Sequence, residues 1–280
     1  MKPQYKERFL RSIGIVDETQ LNKIKHTSIA IAGLGLGGAI FIDLVRMGFE
    51  NFHIADPDIF ERTNINRQRL AKESTIGKRK DQSAYDEAKD INPDVRIKIF
   101  SEGVKPGNLS EFLKGIDWVV DVVDLFALPD KLALNEEARR RNIPVASCST
   151  YGFSGTIVIY NSKTPSFASC TGMSLDNPHE TNLTNFLQYM GPEVPAYMRE
   201  QLYKAIDKST YIPFVVPGGE ITAAFATTEI VKNILSIGKI TWAPTGIFAD
   251  SFNSRVDLFE ASYKARKLDL PTLHTRKKAA

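Results

Sequence analysis

Cysteine is scarce in this chain of 280 residues, which contains only Cys148 and Cys170. The two do not form a Cys-x-x-Cys pair, so they cannot build a four-cysteine zinc site, and they argue against a disulfide framework. The sequence also lacks an uninterrupted apolar run of about 18 residues, and its charged N-terminal segment has no apolar signal core. We therefore expect a cytoplasmic protein without zinc that does not enter a membrane.

An excess of charge of one sign is absent as well. The 36 basic and 33 acidic residues leave a formal net charge of +3. Such a balance creates no sequence-wide field that would draw the chain to a nucleic acid or a membrane surface. Apolar residues make up 42% of the sequence, which suits a buried core. We expect neither nucleic acid nor membrane as a partner.

Strand and helix patterns alternate along the first part of the chain. Residues 28–32 form an apolar, β-rich run that stops at a glycine cluster, and residues 51–55 form a second such run. Between them, apolar residues recur at helical spacing over 38–47, with Gly48 where a C-cap glycine belongs. Further strands are predicted at 95–100, 118–123 and 144–147, and further helices at 80–90, 108–113 and 131–142. This order predicts an α/β fold with a Rossmann-like, mostly parallel sheet and helices on both faces.

The rest of the chain extends this sheet and adds a variable segment. An antiparallel strand is predicted at 152–160, and an apolar helix at 220–235. We divide a single globular domain into an N-terminal arm and helix (1–27), a nucleotide-binding region (28–160), a variable crossover or substrate region (161–216), a C-terminal helix with closing strands (217–262) and a basic tail (263–280).

A glycine motif marks a nucleotide site. Gly33, Gly35 and Gly38 form a GxGxxG pattern between a predicted strand and a predicted helix. Such a turn brings backbone N–H groups and a helix N-terminus to phosphates. Asp56 ends the second strand about 20 residues later, from where a carboxylate reaches a ribose hydroxyl in dinucleotide-binding folds. These features fit an NAD(P)- or FAD-binding oxidoreductase as well as an ATP-binding protein.

Polar residues after the second strand favour ATP. A triphosphate needs cations around it while its α-phosphorus is attacked, and Arg67 and Lys80 can supply them. Asp124 follows a hydrophobic strand, so it should reach the carboxyl edge of the sheet, where such folds bind ligands. We expect Asp124 to hold Mg²⁺. Other polar candidates for nucleotide binding are Asp58, Asn64, Gln68 and Asp121.

The order of these motifs resembles that of the ThiF/MoeB/HesA superfamily and the ubiquitin-activating enzymes. The motifs are the GxGxxG turn, the acidic strand end, Asn-x-x-Arg-Gln, Gly-Lys-x-Lys and Asp-x-x-Asp. The resemblance covers residues 9–160 and, more weakly, 217–255. It implies that Asp56 binds the ribose, that Asn64 and Arg67 contact the phosphates, that Lys80 stabilises the β- and γ-phosphates, and that Asp124 coordinates Mg²⁺. Asp121 is a secondary candidate. Because the two Cys-x-x-Cys pairs of the zinc-binding members are missing, the chain resembles a zinc-free subgroup.

The N-terminal arm carries a further part of the resemblance. Residues 9–14 are similar to the arm of these proteins, whose arginine reaches across a dimer interface into the partner's phosphate site. The resemblance therefore implies a homodimer in which Arg11 acts in trans. An ordinary exposed arginine near a terminus is the alternative interpretation.

Cys170 lies where ubiquitin-activating members carry an acyl-accepting cysteine. Its sequence neighbourhood offers only Lys163 and His179 as cations that could lower the thiol pKa. An ordinary loop cysteine is therefore the alternative. Cys148 follows apolar residues at a strand end, and we predict that it is buried.

The implied reaction is attack of a substrate carboxylate on the α-phosphorus of ATP, which yields an acyl-adenylate and pyrophosphate. Positioning and charge neutralisation carry such a reaction. A carboxylate is ionised at neutral pH, so no general base is required. The substrate could be a small carrier protein, a precursor peptide or a small carboxylic acid. A non-catalytic nucleotide-binding homologue is a further alternative.

Overall fold

The computed structural model describes residues 2–206 and 212–265 of the chain, so most of the predicted basic tail lies outside the described residues. The strands are β1 (Ser28–Ala32), β2 (Asn51–Ala55), β3 (Arg96–Phe100), β4 (Trp118–Asp121), β5 (Val145–Tyr151), β6 (Ser154–Tyr160), β7 (Thr245–Asp250) and β8 (Arg255–Glu260). They form one sheet of eight strands in the order β3-β2-β1-β4-β5-β6-β7-β8.

The helices alternate with the first strands and then cluster before the last ones. They are α1 (Pro3–Arg8), α2 (Glu18–His26), α3 (Leu36–Met47), α4 (Lys80–Ile91), α5 (Leu109–Phe112), α6 (Leu128–Arg140), α7 (Phe167–Thr171), α8 (His179–Tyr189), α9 (Arg199–Ile206) and α10 (Val216–Leu235). Short 3-10 turns occupy Leu10–Ser12, Arg62–Asn64, Leu125–Ala127 and Ala196–Met198. Among the residues that the structure describes, none of these helices has both the length and the apolar character needed to cross a membrane.

The pairing of neighbouring strands changes once across the sheet, from parallel to antiparallel. β1 to β5 pair in parallel, whereas β6, β7 and β8 continue the sheet by antiparallel pairing. Successive residues of β1 face opposite sides: Ile29 and Ile31 belong to one hydrophobic core, while Ala30 and Ala32 belong to the other. A strand buried on both faces needs apolar residues at every position, as parallel sheets do. The predicted Rossmann-like α/β class is confirmed.

Several predicted boundaries were wrong for identifiable reasons. β4 ends at Asp121 rather than at residue 123, because the Asp121 carboxylate accepts a hydrogen bond from the backbone N–H of Val123 and turns the chain there. Both α6 and α10 begin earlier than predicted, each with a proline in its first turn, where the missing N–H costs nothing. The predicted polar region 161–216 includes α7 and α8, whose Phe167, Phe186 and Tyr189 are buried.

Candidate functional site

The glycine turn follows β1 and packs tightly against the end of β4. Gly33 has a φ of +90°, and a Cβ there would lie 2.6 Å from the carbonyl oxygen of Val122. Its N–H donates to the Ala55 carbonyl at 2.8 Å. Gly35 is the N-cap of α3 and provides no side-chain cap. The first N–H groups of α3 therefore remain available to a ligand such as a phosphate.

Asp56 braces this turn from the end of β2. The buried carboxylate accepts hydrogen bonds from the backbone N–H of Leu34 at 2.6 Å and of Asp58 at 2.9 Å. Burial raises the pKa of this carboxyl, while the nearby Lys80 ammonium acts to lower it. The structure thus places Asp56 beside the glycine turn, and its contact with a ribose stays a prediction.

Lys80 brings a cation to the same place. Its side chain is only 8% exposed, and its Nζ lies 2.8 Å from Oδ2 of Asp58, whose side chain is 63% exposed. The backbone N–H of Lys80 also donates to the Asp58 carbonyl at 3.0 Å. The backbone N–H of Asp58 donates to the Asp56 carboxylate, which itself contacts the glycine turn. The Lys80 ammonium is therefore held close to that turn.

The loop after β2 positions Arg67 and Gln68. The Arg67 guanidinium donates to the Thr63 carbonyl at 2.5 Å and lies over the Phe214 ring, 4.6 Å from its centroid. Gln68 is buried, and its Nε2 lies 3.1 Å from where a Cβ on Gly35 would stand. Its Oε1 is buried without a hydrogen-bond partner in the described part of the chain, so it can accept from a ligand hydroxyl or amine.

Asn64 stabilises the loop itself. Its Oδ1 accepts from the backbone N–H of Glu61 at 3.0 Å, and its carbonyl accepts from the N–H of Gln68 at 2.9 Å. These bonds set the direction of the segment that carries Arg67. In this structure the buried Asn64 therefore acts on the loop backbone, and direct contact with a phosphate stays a prediction.

Asp124 lies beyond the end of β4 with an exposed side chain. One carboxylate oxygen accepts from the backbone N–H of Phe126 at 2.9 Å and caps the following 3-10 turn. The Phe126 ring stacks on His179 at the start of α8, with a centroid distance of 5.6 Å. The loop of Asp124 thus touches the variable region.

The donor set around Asp124 fits Mg²⁺ held jointly with phosphates. Within residues 2–206 and 212–265, no three His, Cys, Asp or Glu side chains come together as a metal cage. Mg²⁺ is commonly bound through one or two carboxylates, with the remaining ligands from substrate phosphates and water. The exposed carboxylate of Asp124 can supply one such ligand.

Asp121 does not lie where the sequence predicted. It is fully buried, and its oxygens accept from Lys131 Nζ and Asn135 Nδ2, each at 2.8 Å. With both oxygens engaged inside the protein, the carboxylate offers no surface to a nucleotide. Sequence reasoning missed Lys131 and Asn135. Their four-residue spacing on α6, which places two polar side chains on one helix face, was the available signal.

Both cysteines are buried. Cys170 is 3% exposed, and burial raises the pKa of its thiol, which is the direction opposite to that required of a nucleophile. Burial likewise raises the pKa of Cys148, as expected for a core residue. The structure therefore disfavours Cys170 as an acyl acceptor.

We expect the native protein to resist thiol reagents. At pH 7, Cys170 should react with a disulfide reagent roughly 100-fold more slowly than in the denatured chain, because its thiol is buried and protonated. A Ser169→Cys variant, which places a thiol at the adjacent exposed position, should react rapidly and serves as the control. Rapid modification of Cys170 in the folded wild type, located by mass spectrometry, would restore it as a candidate nucleophile.

Arg11 lies on the surface of the N-terminal arm. The arm is anchored by Tyr5, which is buried and donates a hydrogen bond to the Gly48 carbonyl at 2.7 Å. Arg11 itself is exposed, and the neighbouring Leu10 and Ile15 are 62% and 85% exposed. An exposed arginine among exposed apolar side chains is compatible with the predicted role in trans, which stays a prediction.

The chain matches the model described as the ThiF family over residues 8–270. It is 30% identical over 140 residues to "Adenylyltransferase and sulfurtransferase MOCS3-1" of Zea mays, which covers 50% of this chain and 30% of that protein. It is also 30% identical over 153 residues to "SAMP-activating enzyme E1" of Haloferax volcanii, which covers 53% of this chain and 56% of that protein. The chain thus matches only part of the length of these relatives.

A solved structure has the same fold. The crystal structure of E. coli MccB with ATP aligns with a TM-score of 0.68 at 17% identity. The alignment covers 94% of this chain and 72% of that chain. At this identity the likeness concerns the fold.

Proposed function

The chain belongs to the ThiF family, and on this premise we propose that it is an ATP-dependent adenylyltransferase. It activates a substrate carboxylate as an acyl-adenylate and releases pyrophosphate. One observation carries the proposal: direct contacts join the glycine turn, which follows β1, to the residues after the two neighbouring strands, β2 and β4. Gly33 packs on Val122 after β4, Asp56 and Asp58 after β2 hold the turn and Lys80, and Gln68 lies against Gly35.

In this reaction the side chains position charge rather than transfer protons. The N-terminus of α3 and the glycine turn bind phosphate oxygens, while Lys80 and Arg67 neutralise the charge that pyrophosphate carries away. Mg²⁺ held by Asp124 would add a further positive charge at the phosphates. Asp56 bonds the ribose, and Gln68 accepts a hydrogen bond from the nucleotide. Asp58 releases Lys80 when the more highly charged phosphates arrive.

The remaining parts of the proposal concern assembly and substrate. The enzyme is a cytoplasmic homodimer, in which Arg11 of one protomer reaches the phosphates bound by the other. The substrate carboxylate belongs to a small carrier protein, a precursor peptide or a small acid. The names of the two relatives, an adenylyltransferase and an activating enzyme, support this chemistry. The E. coli neighbour with ATP supports the choice of nucleotide.

Exchange of labelled pyrophosphate into ATP tests the function. We expect the wild type to catalyse this exchange in the presence of Mg²⁺ and a cognate carboxylate, drawn from peptides, carrier proteins and small acids. Arg67→Ala should lower the rate by roughly 10²-fold, because it removes a cation from the phosphates. Arg62→Ala is the matched control, since this exposed arginine of the same loop forms an ion pair with Glu73 rather than lying at the glycine turn.

Two results would contradict the proposal. Calorimetry that detects tight NAD binding but no binding of ATP with Mg²⁺ would favour an oxidoreductase. ATP that binds but never exchanges with any supplied carboxylate would favour a non-catalytic homologue. Sedimentation tests the dimer independently, because a monomer with full activity would exclude the role of Arg11 in trans.

A further inference from the structure

We infer that Lys131 is a positioning residue, which holds the backbone between β4 and Asp124 in the conformation that nucleotide and Mg²⁺ require. The inference rests on the proposed function. Lys131 lies on α6, is 1% exposed, and its ammonium is bonded to Asp121 and to the Val123 carbonyl inside the protein. Its effect is therefore exerted through the main chain that it contacts.

A small hydrogen-bond network ties down this backbone. Lys131 Nζ donates to the Asp121 carboxylate at 2.8 Å and to the Val123 carbonyl at 3.1 Å. The same Asp121 oxygen accepts from the backbone N–H of Val123 at 3.1 Å, and Asn135 Nδ2 bonds the other oxygen. Val123, the residue directly before Asp124, is thereby held at both its N–H and its carbonyl.

The same backbone segment packs directly against the glycine turn. The carbonyl oxygen of Val122 lies only 2.6 Å from where a Cβ on Gly33 would stand, so the two segments are in close contact. A shift at residues 122–123 would therefore move both the glycine turn and the Asp124 carboxylate. The hydrogen bonds of Lys131 to Asp121 and to the Val123 carbonyl oppose such a shift.

Net stability does not explain a lysine at this position. Burying an ammonium and a carboxylate carries a desolvation penalty that a well-packed apolar pair avoids. What an apolar pair cannot provide is a directional bond to the Val123 carbonyl. The network therefore contributes geometry at the end of β4, and that contribution can be separated from stability by experiment.

The test compares a single and a double variant. Lys131→Met leaves the Asp121 carboxylate buried without its cation and should lower the melting temperature by on the order of 10 °C. Adding Asp121→Asn removes that charge and should recover most of the loss. The double variant still lacks the bond to Val123. We expect the Mg²⁺ concentration that gives half-maximal ATP binding, measured by calorimetry, to rise roughly 10- to 100-fold; this concentration is the Mg²⁺ requirement. We also expect kcat for exchange to fall by a larger factor than KM for ATP rises.

A second buried ion pair provides a matched control. Lys25 pairs with Glu50 at 3.6 Å, and their side chains are 13% and 2% exposed. The pair lies between α2 and the start of β2, at the opposite end of that strand from Asp56. The double variant Lys25→Met with Glu50→Gln should change the melting temperature without changing the Mg²⁺ requirement. If Lys131→Met with Asp121→Asn does not fold, Lys131→Gln provides a milder test, because its shorter neutral side chain loses the ammonium bond to the Val123 carbonyl and keeps a polar group beside Asp121. We expect a smaller shift in the same direction.

The outcomes separate this inference from the proposed function. If the Lys131→Met/Asp121→Asn variant, or Lys131→Gln in its place, shows the wild-type Mg²⁺ requirement, Lys131 has only a structural role and the inference is overturned. The proposed function survives that result, because the wild type still exchanges pyrophosphate. If the wild type itself binds no ATP in the presence of Mg²⁺, the proposed function fails and the inference falls with it.

Discussion

Replacing Asp124 with asparagine should reduce ATP–pyrophosphate exchange by roughly 10²- to 10³-fold. The side chain is exposed and accepts one hydrogen bond, from the Phe126 N–H, which the asparagine oxygen can also accept. We therefore expect the free energy of unfolding to change by no more than about 0.5 kcal/mol. The lost negative charge removes the ligand that we assign to Mg²⁺, so the defect should be confined to catalysis and metal-dependent nucleotide binding.

The measurement is the exchange rate at saturating ATP over a range of Mg²⁺ concentrations, together with thermal unfolding. Asp86→Asn is the control, because Asp86 is an exposed aspartate on α4 that also accepts a single hydrogen bond, from Gln82. It should match the wild type in both measurements. An Asp124→Asn variant with wild-type exchange at every Mg²⁺ concentration would show that another group holds the metal.

Gly33→Ala should abolish nucleotide binding and destabilise the protein by roughly 2–5 kcal/mol. The backbone at Gly33 has a φ of +90°, which disfavours any side chain, and a Cβ would collide with the Val122 carbonyl at 2.6 Å. Relief of that collision must move either the phosphate turn or the segment before Asp124. Stability and ATP affinity should consequently fall together.

The Gly115→Ala variant separates the effect of a positive φ on stability from the effect of the collision with Val122. Gly115 also has a positive φ, of +70°, but a Cβ there would meet nothing within 4 Å. Its substitution should cost about 1–2 kcal/mol from the backbone conformation alone and leave ATP binding unchanged. Unfolding by denaturant and calorimetry with ATP and Mg²⁺ measure both quantities. A Gly33→Ala variant that resembles Gly115→Ala in both would disprove the tight contact between β1 and β4.

The strands that flank the nucleotide turn could be predicted closely. β1 and β2 have the predicted bounds, 28–32 and 51–55, because each is a short apolar run followed by residues that cannot continue a buried strand. The prediction for β4 was two residues too long. Val122 and Val123 are apolar, yet they lie beyond the strand because the Asp121 side chain bonds the backbone there, an effect that hydrophobicity alone does not reveal.

The burial of Asp121 and the burial of Cys170 escaped prediction for the same reason. Asp121 and Asp124 are separated by two residues and have the same side chain, so the residues next to them do not distinguish a buried carboxylate from an exposed one. The distinction depends on Lys131 and Asn135, which the fold of α6 onto β4 brings to Asp121. The burial of Cys170 likewise depends on the packing of α7 into the core, which its neighbours in the sequence do not reveal.

The sequence by itself determined the α/β class, the glycine turn and the set of charged residues that follow the first strands. These features depend on local spacing, because a turn, a helix start or a strand end is defined by residues close together in the chain. Only the tertiary structure decided which of Asp121 and Asp124 is exposed, which lysine pairs with the buried one and that Arg67 stacks on Phe214. Those outcomes depend on contacts between distant segments, and desolvation and hydrogen bonding act only once the packed fold has brought these segments together.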